Sequence, residues 1–505
     1  MKFSVGLCSA VSAALKIAHV PSTNRVREDD RIDKGIRHDI NICYDRISET
    51  IWRFKVGKNV ITTACSRNVL DVLALRSRSH MQGKRFIVQV TNNLFRPTLL
   101  KLEKGWDFSY GFADIEQLVP TRPDTLFRIA SISKGITSII VGRLLEQTKL
   151  TLDDDVRSFV PEFPEKQVNG KHAKITVRSL MNHTSGIRSY IKSDKGKGQS
   201  DCPEMLLQTR YSSPLEACAL FQNDPLVHAP AEKYTYSTYG FTLLSAVIER
   251  VCALSGPIFE PLPSTTVWGA DAERGKSDIP EQARIDKQFG RLFTRLGMTH
   301  TCLEYHEKIT QFRASQYRRN NKGVLENTPM IDNSYKWAGG GILSTAPDLI
   351  RLANHLAYAY LGCLPYSGVL RPDTLDELWT VSAVNPESRW QPGLGWFLSR
   401  RSGLPPSRRT SICPDRWYVM HTGGAVGGTT VLLLSLPCCR STNGQTKHEL
   451  VQQDKHNPDV IAQTSKLPPI CVAVLTNLED ASGISDLAVS LVELVTDFAL
   501  SFDVN

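Results

Sequence analysis

The chain has 505 residues, a formal net charge of +9 and a pI near 8.9. Its 41% hydrophobic and 22% charged residues are typical of a soluble globular protein. Basic residues are interleaved with acidic ones and no DNA or RNA recognition motif is present, so the charge does not indicate a nucleic-acid partner.

The 12 cysteines follow no framework spacing and contain no Cys-x-x-Cys pair. This pattern favours reduced, mostly structural thiols. No His-Glu-x-x-His arrangement occurs, and the adjacent Cys438 and Cys439 have no second pair nearby. We therefore predict no metal and no cofactor.

Residues 1–27 contain no acidic residue, but they contain lysines, arginines and several serines. The apolar part, residues 3–15, is too short to span a bilayer comfortably, so no transmembrane segment is predicted. A secretory signal, an organellar presequence and a disordered end all remain open from this stretch alone. Residues 28–82 are rich in charge and weakly periodic, and they are not assigned to a fold.

Apolar periodicity and turn residues predict the following elements along the chain. These are strands at 85–90 and 106–113, helices at 131–148, 241–251 and from Asp348, strands at 418–436 and 470–476, and a helix at 484–500. Polar or proline-rich stretches at 192–199, 256–288 and 440–466 predict exposed loops or insertions.

Ser131 stands at the start of the first predicted helix, and Lys134 follows three residues later, one turn along nearly the same face. A serine hydroxyl is a weak nucleophile unless a neighbouring group takes its proton, and a desolvated lysine can do so. The second Ser-x-x-Lys, Ser189 to Lys192, lies in a loop-like stretch with no helix after it. Only the first copy therefore predicts a nucleophile.

The alternative is a purely structural role, in which Ser131 caps the helix and Lys134 is solvated. His183, in a tight loop, has two interpretations as well. A loop histidine bonded to the backbone is commoner than a base, and we favour the former.

Three motifs follow one another in the chain: Ser131-x-x-Lys134, Tyr236-Ser237-Thr238 and His421-Thr422-Gly423. Together they resemble the serine β-lactamase, penicillin-binding-protein and esterase superfamily, especially its class C and D,D-peptidase branch. The glycine stretch at 338–341 fits the same order, and the resemblance extends from about Gly105 to the C-terminus.

The resemblance implies an α/β fold of the α+β type, with a mainly antiparallel central sheet flanked by helices. It implies a catalytic domain over 105–505, a mostly helical subdomain over 150–335 and an uncertain region over 28–104. Residues 92–103 do not have the apolar, glycine-punctuated pattern that the family has there, so the first strand is expected to be abnormal.

The resemblance also implies catalytic roles. Ser131 would attack a carbonyl and form an acyl-enzyme, Lys134 would assist its deprotonation, and Tyr236 would relay protons. The backbone N–H groups of Ser131 and Gly424 would form the oxyanion hole.

The expected substrate-binding residues are Thr238, His421, Gly423 and Gly424. Thr238 stands where the family usually has Asn, and its hydroxyl replaces an amide only in part. His421 stands where the family usually has Lys. It can donate a hydrogen bond, but it carries full charge only below a pKa of about 6.5.

Residues 160–166, 220–226 and 236–244 are similar to the mitochondrial serine β-lactamase-like proteins of animals. That similarity implies a mitochondrial intermembrane-space location, hydrolase or peptidase activity, assembly into homo-oligomers or filaments, and an influence on mitochondrial lipid metabolism. It favours a presequence at 1–27 over secretion, which remains the alternative location.

The sequence therefore leads to the hypothesis of a serine hydrolase that acts on peptides or small amides and esters without a metal. The alternative is a filament-forming scaffold with weak or residual catalysis. The divergent residues 92–103 and Thr238 favour the scaffold mildly, whereas the retention of Ser131, Lys134 and Tyr236 together favours the enzyme.

Overall fold

An antiparallel sheet forms the centre of the protein. The computed structural model describes residues 86–92, 105–191, 202–259, 278–362, 369–400, 416–437 and 469–500. The predictions for 1–27, 28–82, 192–199 and 440–466 lie outside the described residues.

The strands are numbered in chain order. They are β1 (Phe86–Asn92), β2 (Gly105–Tyr110), β3 (Phe112–Asp114), β4 (Val119–Pro120), β5 (Phe127–Arg128), β6 (Gln167–Val168), β7 (Lys171–His172), β8 (Cys302–Leu303), β9 (Tyr317–Arg319), β10 (Leu325–Asn327), β11 (Ile342–Ser344), β12 (Gln391–Pro392), β13 (Phe397–Arg400), β14 (Arg416–Ala425), β15 (Gly428–Pro437) and β16 (Ile470–Thr476).

The α-helices are numbered in the same way. They are α1 (Ile132–Glu146), α2 (Val177–Met181), α3 (Pro214–Ala217), α4 (Thr238–Ser255), α5 (Ile285–Leu296), α6 (Trp337–Gly340), α7 (Ala346–Tyr360), α8 (Pro372–Leu378) and α9 (Ile484–Leu500). Short 3₁₀ turns occupy Val156–Ser158, Pro203–Met205, Cys218–Leu220, Glu281–Ala283 and Ser334–Lys336.

The central sheet has the strand order β12-β13-β14-β15-β16-β1-β2 in the described residues, and each neighbouring pair is antiparallel. This confirms the predicted mainly antiparallel sheet. It also places β1, which precedes residue 105, inside the sheet. A three-stranded sheet, β5-β11-β8, lies beside it and leads to the nucleophile position.

The prediction of one long strand over 418–436 is wrong. Two strands, β14 and β15, form a hairpin there, with the turn at Val426 and Gly427. Gly427 has a φ of 75°, which glycine adopts without the steric cost that a side chain would bring. The signal for this turn is the pair Gly427 and Gly428, which the prediction took as part of one strand.

Both faces of the sheet are covered by helices. Helix α7 packs against β1, β15 and β16, and α9 packs against β15 and β16. Every residue of β16 is buried, as expected for a strand that has helices on both sides. The predicted helices at Asp348 and 484–500 are confirmed by α7 and α9.

Helix α1 is buried almost all round, which differs from the single buried face that its apolar spacing predicts. Thr137 and Ser138, on its other side, are hydrogen-bonded inside the protein, whereas the buried Ser133 hydroxyl has no partner among the described residues. The Thr137 hydroxyl donates to the carbonyl of Ala338 at 2.8 Å, for example. The helix is therefore a fixed support for the residues at its start.

The remaining predictions are close to the observed elements. The predicted strand at 106–113 is divided into β2 and β3 around Gly111, which has a φ of 85°. The helix predicted over 241–251 is longer, as α4. Helix α5 begins inside the stretch 256–288, and 260–277 lie outside the described residues. Among the described helices, none is long and apolar enough to cross a membrane.

Candidate active site

A sharp turn presents Ser131 at the start of α1. The preceding residue, Ala130, has a φ of 48°, a left-handed conformation that is costly for a residue with a side chain. The turn is anchored on both sides: the Ile129 N–H donates to the carbonyl of Ile342 at 3.0 Å, and the Thr430 hydroxyl donates to the carbonyl of Ile129 at 3.0 Å. Surrounding structure therefore fixes the strained turn.

A buried ion pair lies below this turn. The Arg128 guanidinium contacts the Glu304 carboxylate at 2.8–3.0 Å and donates to the carbonyl of Val426 at 2.7 Å. Asn333 donates to the same carboxylate at 2.5 Å. Arg128 and Glu304 are 6% and 3% exposed, so the pair ties the turn rigidly to the β14–β15 hairpin.

Ser131 is half-buried, and its side chain makes no capping bond to the helix. The Lys134 ammonium nitrogen instead lies 3.0 Å from the Ser131 hydroxyl oxygen. Lys134 also donates to the Thr238 hydroxyl at 3.2 Å and to the carbonyl of Gly339 at 2.6 Å. Ser131 is therefore more than a helix cap, and Lys134 is not solvated.

Lys134 is completely buried. Its burial, together with the charge of Lys336, holds the pKa of Lys134 well below its usual value. A lysine with a lowered pKa has a larger unprotonated fraction at a given pH, and the unprotonated amine can accept a proton. The electrostatics of the site therefore suit a base next to the serine.

Tyr236 faces the same pair. Its ring centroid lies 4.9 Å from the Lys134 ammonium nitrogen. Burial raises the pKa of Tyr236, and a side-chain hydrogen bond with Ser131 opposes that rise only in part. The phenol is therefore protonated at neutral pH and can donate a proton.

His183 supports the Tyr236 segment. The Ser237 N–H donates to His183 Nδ1 at 3.2 Å, the Thr235 N–H donates to the carbonyl of His183 at 2.8 Å, and the rings of His183 and Tyr236 lie 4.3 Å apart. Burial holds the pKa of His183 well below its usual value. The predicted backbone-bonded histidine is confirmed.

The strand β14 brings His421 into the site as a neutral ring. His421 Nδ1 donates to the carbonyl of Thr422 at 2.7 Å, so the tautomer leaves Nε2 as an acceptor. That buried Nε2 has no partner in the described residues. Burial, with the Lys134 charge, lowers the pKa of His421 to about 3, so the expectation of charging below about 6.5 is wrong.

Gly423 allows the strand to reach the nucleophile turn. A Cβ at this position would lie 2.3 Å from the carbonyl oxygen of Ile129 and 3.0 Å from the Cβ of Ala130. Gly424, the next residue, is exposed. The structure thus brings the three motifs and the glycine stretch together around Ser131.

For the second Ser-x-x-Lys motif the described residues show no serine–lysine contact. Ser189 accepts a bond from Arg188 through its carbonyl at 3.0 Å, and Lys192 lies outside the described residues. Sequence reasoning missed two other features, the Arg128–Glu304 pair and Lys336, which is 5% exposed. A lysine directly before the apolar and glycine-rich run 337–341 was the available signal for Lys336.

One group in the described residues has ligand atoms close enough for a metal. The side chains of His306, Glu307 and Asp332 have such atoms within 4.8 Å of one another. Asp332 already accepts a hydrogen bond from Ser334, and Glu307 pairs with Arg210. None of these residues contacts Ser131, and the serine–lysine arrangement itself offers no metal-ligand set.

Comparisons with known proteins show what this chain is similar to. Residues 101–489 match the Beta-lactamase family. The human serine beta-lactamase-like protein LACTB, mitochondrial, is 31% identical over 465 residues, covering 79% of this chain and 74% of its own.

Two solved structures are similar in fold. A class C β-lactamase has a TM-score of 0.55 and 16% identity, covering 86% of this chain and 98% of its own. The octameric penicillin-binding protein homologue of Pyrococcus abyssi has a TM-score of 0.56 and 18% identity, covering 85% of this chain and 77% of its own.

Proposed function

The chain belongs to the β-lactamase family of serine hydrolases, and from this premise we propose that it hydrolyses amide or ester bonds through an acyl-enzyme on Ser131. The observation that carries the proposal is the contact between a fully buried Lys134 and the Ser131 hydroxyl at 3.0 Å. A buried amine without a carboxylate partner among the described residues favours its neutral form.

In the first step the Ser131 oxygen attacks the substrate carbonyl, and its proton passes to Lys134. The C–O bond forms while the carbonyl becomes an oxyanion. The N–H groups of Ser131 and Gly424 stabilise that oxyanion, a contribution typically worth about 10²–10³ in rate per donor. Tyr236 gives a proton to the leaving amine or alcohol as its bond to the carbonyl carbon breaks.

In the second step water attacks the acyl-enzyme. Tyr236, deprotonated in the first step, takes a proton from the water, and Lys134 returns its proton to the ester oxygen of Ser131 as the bond between that oxygen and the carbonyl carbon breaks, which restores the free enzyme. Thr238, His421 and Gly423 lie around Ser131 and orient the acyl group. His421 does so as a hydrogen-bond acceptor through its unpartnered Nε2.

The proposed substrate is a peptide or a small amide or ester. We propose a mitochondrial location because the similar human protein is named as mitochondrial. The intermembrane space, a role in lipid metabolism and assembly into filaments remain predictions from sequence. The octameric state of the Pyrococcus abyssi homologue makes a homo-oligomer a reasonable proposal.

The test is covalent labelling with a fluorophosphonate, read by intact mass and peptide mapping. We expect one adduct per chain, located on Ser131, and no adduct in Ser131→Ala. Ser189→Ala is the matched control, because it removes the serine of the second motif, and it is expected to be labelled like the wild type. A folded wild-type protein that stays unlabelled, under conditions that label a control hydrolase, would favour the scaffold instead.

If labelling occurs, a panel of p-nitrophenyl esters and short peptide amides distinguishes the substrate class. Turnover of the amides supports a peptidase. Turnover of the esters alone restricts the proposal to an esterase.

A further inference from the structure

A second buried lysine lies in the wall of the site. Lys336 is 5% exposed and directly precedes α6. A Cβ placed on Gly340 would lie 3.9 Å from the Lys336 Cδ and 3.8 Å from the carbonyl carbon of Ala130. Lys336 and the residue before the nucleophile therefore lie on the same side of Gly340.

The ammonium end of Lys336 makes no hydrogen bond to the described residues. It lies 4.9 Å from the ring centroid of Tyr335 and 5.7 Å from that of Tyr190. These aromatic faces attract a cation without neutralising it. Because no anion pairs with this ammonium group through a hydrogen bond in the described residues, its positive charge acts electrostatically on neighbouring groups.

The charged and titratable groups around Lys336 have opposite effects on its pKa. Burial and the Arg128 charge lower the pKa of Lys336 to about 7, and Glu304 and Cys202 act in the opposite direction. The Glu304 carboxylate is already bonded to Arg128 and Asn333. Lys336 therefore retains a substantial positive charge near neutral pH.

Lys336 and Lys134 both lie against the adjacent residues Gly339 and Gly340. The carbonyl that accepts from Lys134 at 2.6 Å belongs to Gly339, three residues after Lys336. Among the described residues, the other titratable groups facing Lys134 are Tyr236, which is protonated, and two histidines, His183 and His421, which are neutral. Lys336 is therefore the cation whose repulsion acts on Lys134.

We propose that Lys336 is a positioning residue for the hydrolase: its positive charge, held beside the nucleophile turn, keeps Lys134 unprotonated and ready to accept the Ser131 proton. The inference rests on the proposed function. With Lys336 in this role, the site has a cation even though His421, the residue that β14 contributes, is neutral.

The experiment compares Lys336→Gln with Lys336→Arg in the full chain. The second-order rate constant for fluorophosphonate labelling is measured from pH 5 to pH 10. The acid limb is the part of this pH profile in which the rate constant rises as Lys134 loses its proton. In Lys336→Gln we expect the acid limb to move to higher pH by about one unit, so that labelling at pH values below it is slowed about tenfold. The constant rate at alkaline pH is expected to be retained. In Lys336→Arg the limb is expected at the wild-type position or lower.

Lys166→Gln is the matched control. Lys166 is another buried lysine, 9% exposed, and it is bonded to the carbonyls of Gln222 and Asp224 rather than to the site. Its loss is expected to leave the limb in place. A limb that moves equally in the control would indicate general loosening and overturn the proposal.

The outcomes separate the two claims. A wild type that is not labelled ends both the proposed function and this inference. A labelled wild type with an unmoved limb in Lys336→Gln overturns the inference alone. If Lys336→Gln does not fold, as judged by circular dichroism, the pH profile of Lys336→Arg tests the inference instead. An acid limb of Lys336→Arg that lies at higher pH than in the wild type refutes the charge effect.

Discussion

Lys134 donates to Ser131 at 3.0 Å while the carbonyl of Gly339 accepts from the same amine at 2.6 Å. The first contact joins base to nucleophile within one helical turn, and the second fixes the amine from across the site. Because two hydrogen bonds already hold the Lys134 nitrogen in place, the side chain loses little conformational freedom when it accepts a proton. The serine–lysine pair is therefore preorganised for acyl transfer.

Replacing Lys134 by methionine is expected to slow labelling of Ser131 by about 10²–10⁴-fold, because the hydroxyl loses its base. The rate of fluorophosphonate adduct formation measures this loss. Lys149→Met is the control, since Lys149 follows the same helix but bonds to the carbonyls of Gly256 and Pro257. Wild-type labelling in a folded Lys134→Met protein would show that another group takes the proton.

Tyr236→Phe removes one hydroxyl from the site and is expected to slow labelling by at least about 10²-fold. Because burial raises the pKa of Tyr236, the wild-type rate should show no loss from tyrosine ionisation up to pH 10. The measurement is the same pH series. Tyr234→Phe is the control, because Tyr234 contacts His183 edge-on at 6.0 Å and does not bond Ser131.

His421→Gln tests the neutral histidine. The pKa of His421 is lowered to about 3, so His421 is uncharged in the folded protein from pH 5 to pH 8. We expect the acid limb of labelling to stay in place in this variant, while the saturation constant for the probe rises. A limb near pH 6.5 that disappears with His421 would mean that the histidine titrates normally.

The parts of the site that the sequence predicted are those that depend on local spacing. Ser131 and Lys134 are one helical turn apart, so their contact follows from helix geometry. Tyr236 and His421 are far away in the chain, and only the order of motifs in a resembling family related them to Ser131. No local pattern encodes which distant groups surround a residue.

Lys336 shows the limit most clearly. Its burial depends on Tyr335 and Tyr190 and on the glycines that follow it, and the pKa shift arises only after the chain has folded. The hairpin turn at Gly427, by contrast, had a local signal that was not recognised. Gly427 and Gly428 interrupt the apolar residues between the two strands, as is typical of a hairpin turn.

Glu304→Gln tests the support below the nucleophile. Removing the carboxylate charge leaves Arg128 buried without a counter-ion, and we expect the free energy of unfolding to fall by about 3–5 kcal/mol. Denaturant unfolding at pH 7 measures it. Glu162→Gln is the control, because that carboxylate pairs with Arg250 at the surface, where loss of a pair costs under about 1 kcal/mol.

The same pair predicts a pH dependence. The Arg128 charge and the hydrogen bonds to Glu304 hold its pKa below the usual value despite burial. A lowered carboxyl pKa gives stability that is fully present above the unfolded pKa of about 4.3 and is lost as the pH falls through the folded pKa. The wild type should therefore lose stability below about pH 4.3 more steeply than Glu304→Gln. Parallel curves for the two proteins would contradict this assignment.

Gly423→Ala tests the close approach of β14 to the nucleophile turn. The added methyl would lie 2.3 Å from the carbonyl oxygen of Ile129 and 2.3 Å from the Thr430 hydroxyl, so one backbone must move. Displacing a catalytic turn by even about 1 Å can cost about 10²-fold in rate. We expect labelling of Ser131 to fall by that order, with a smaller loss of thermal stability.

Gly290→Ala provides the matched substitution. Gly290 lies in α5, and a Cβ there would meet no atom within 4 Å. Alanine is a better helix former by about 1 kcal/mol, so this variant should keep its labelling rate and melt at a slightly higher temperature. If Gly423→Ala behaved in the same way, the strand would have room beside Ile129. The contact that brings Gly423 and Gly424 to Ser131 would then not limit the geometry of acylation.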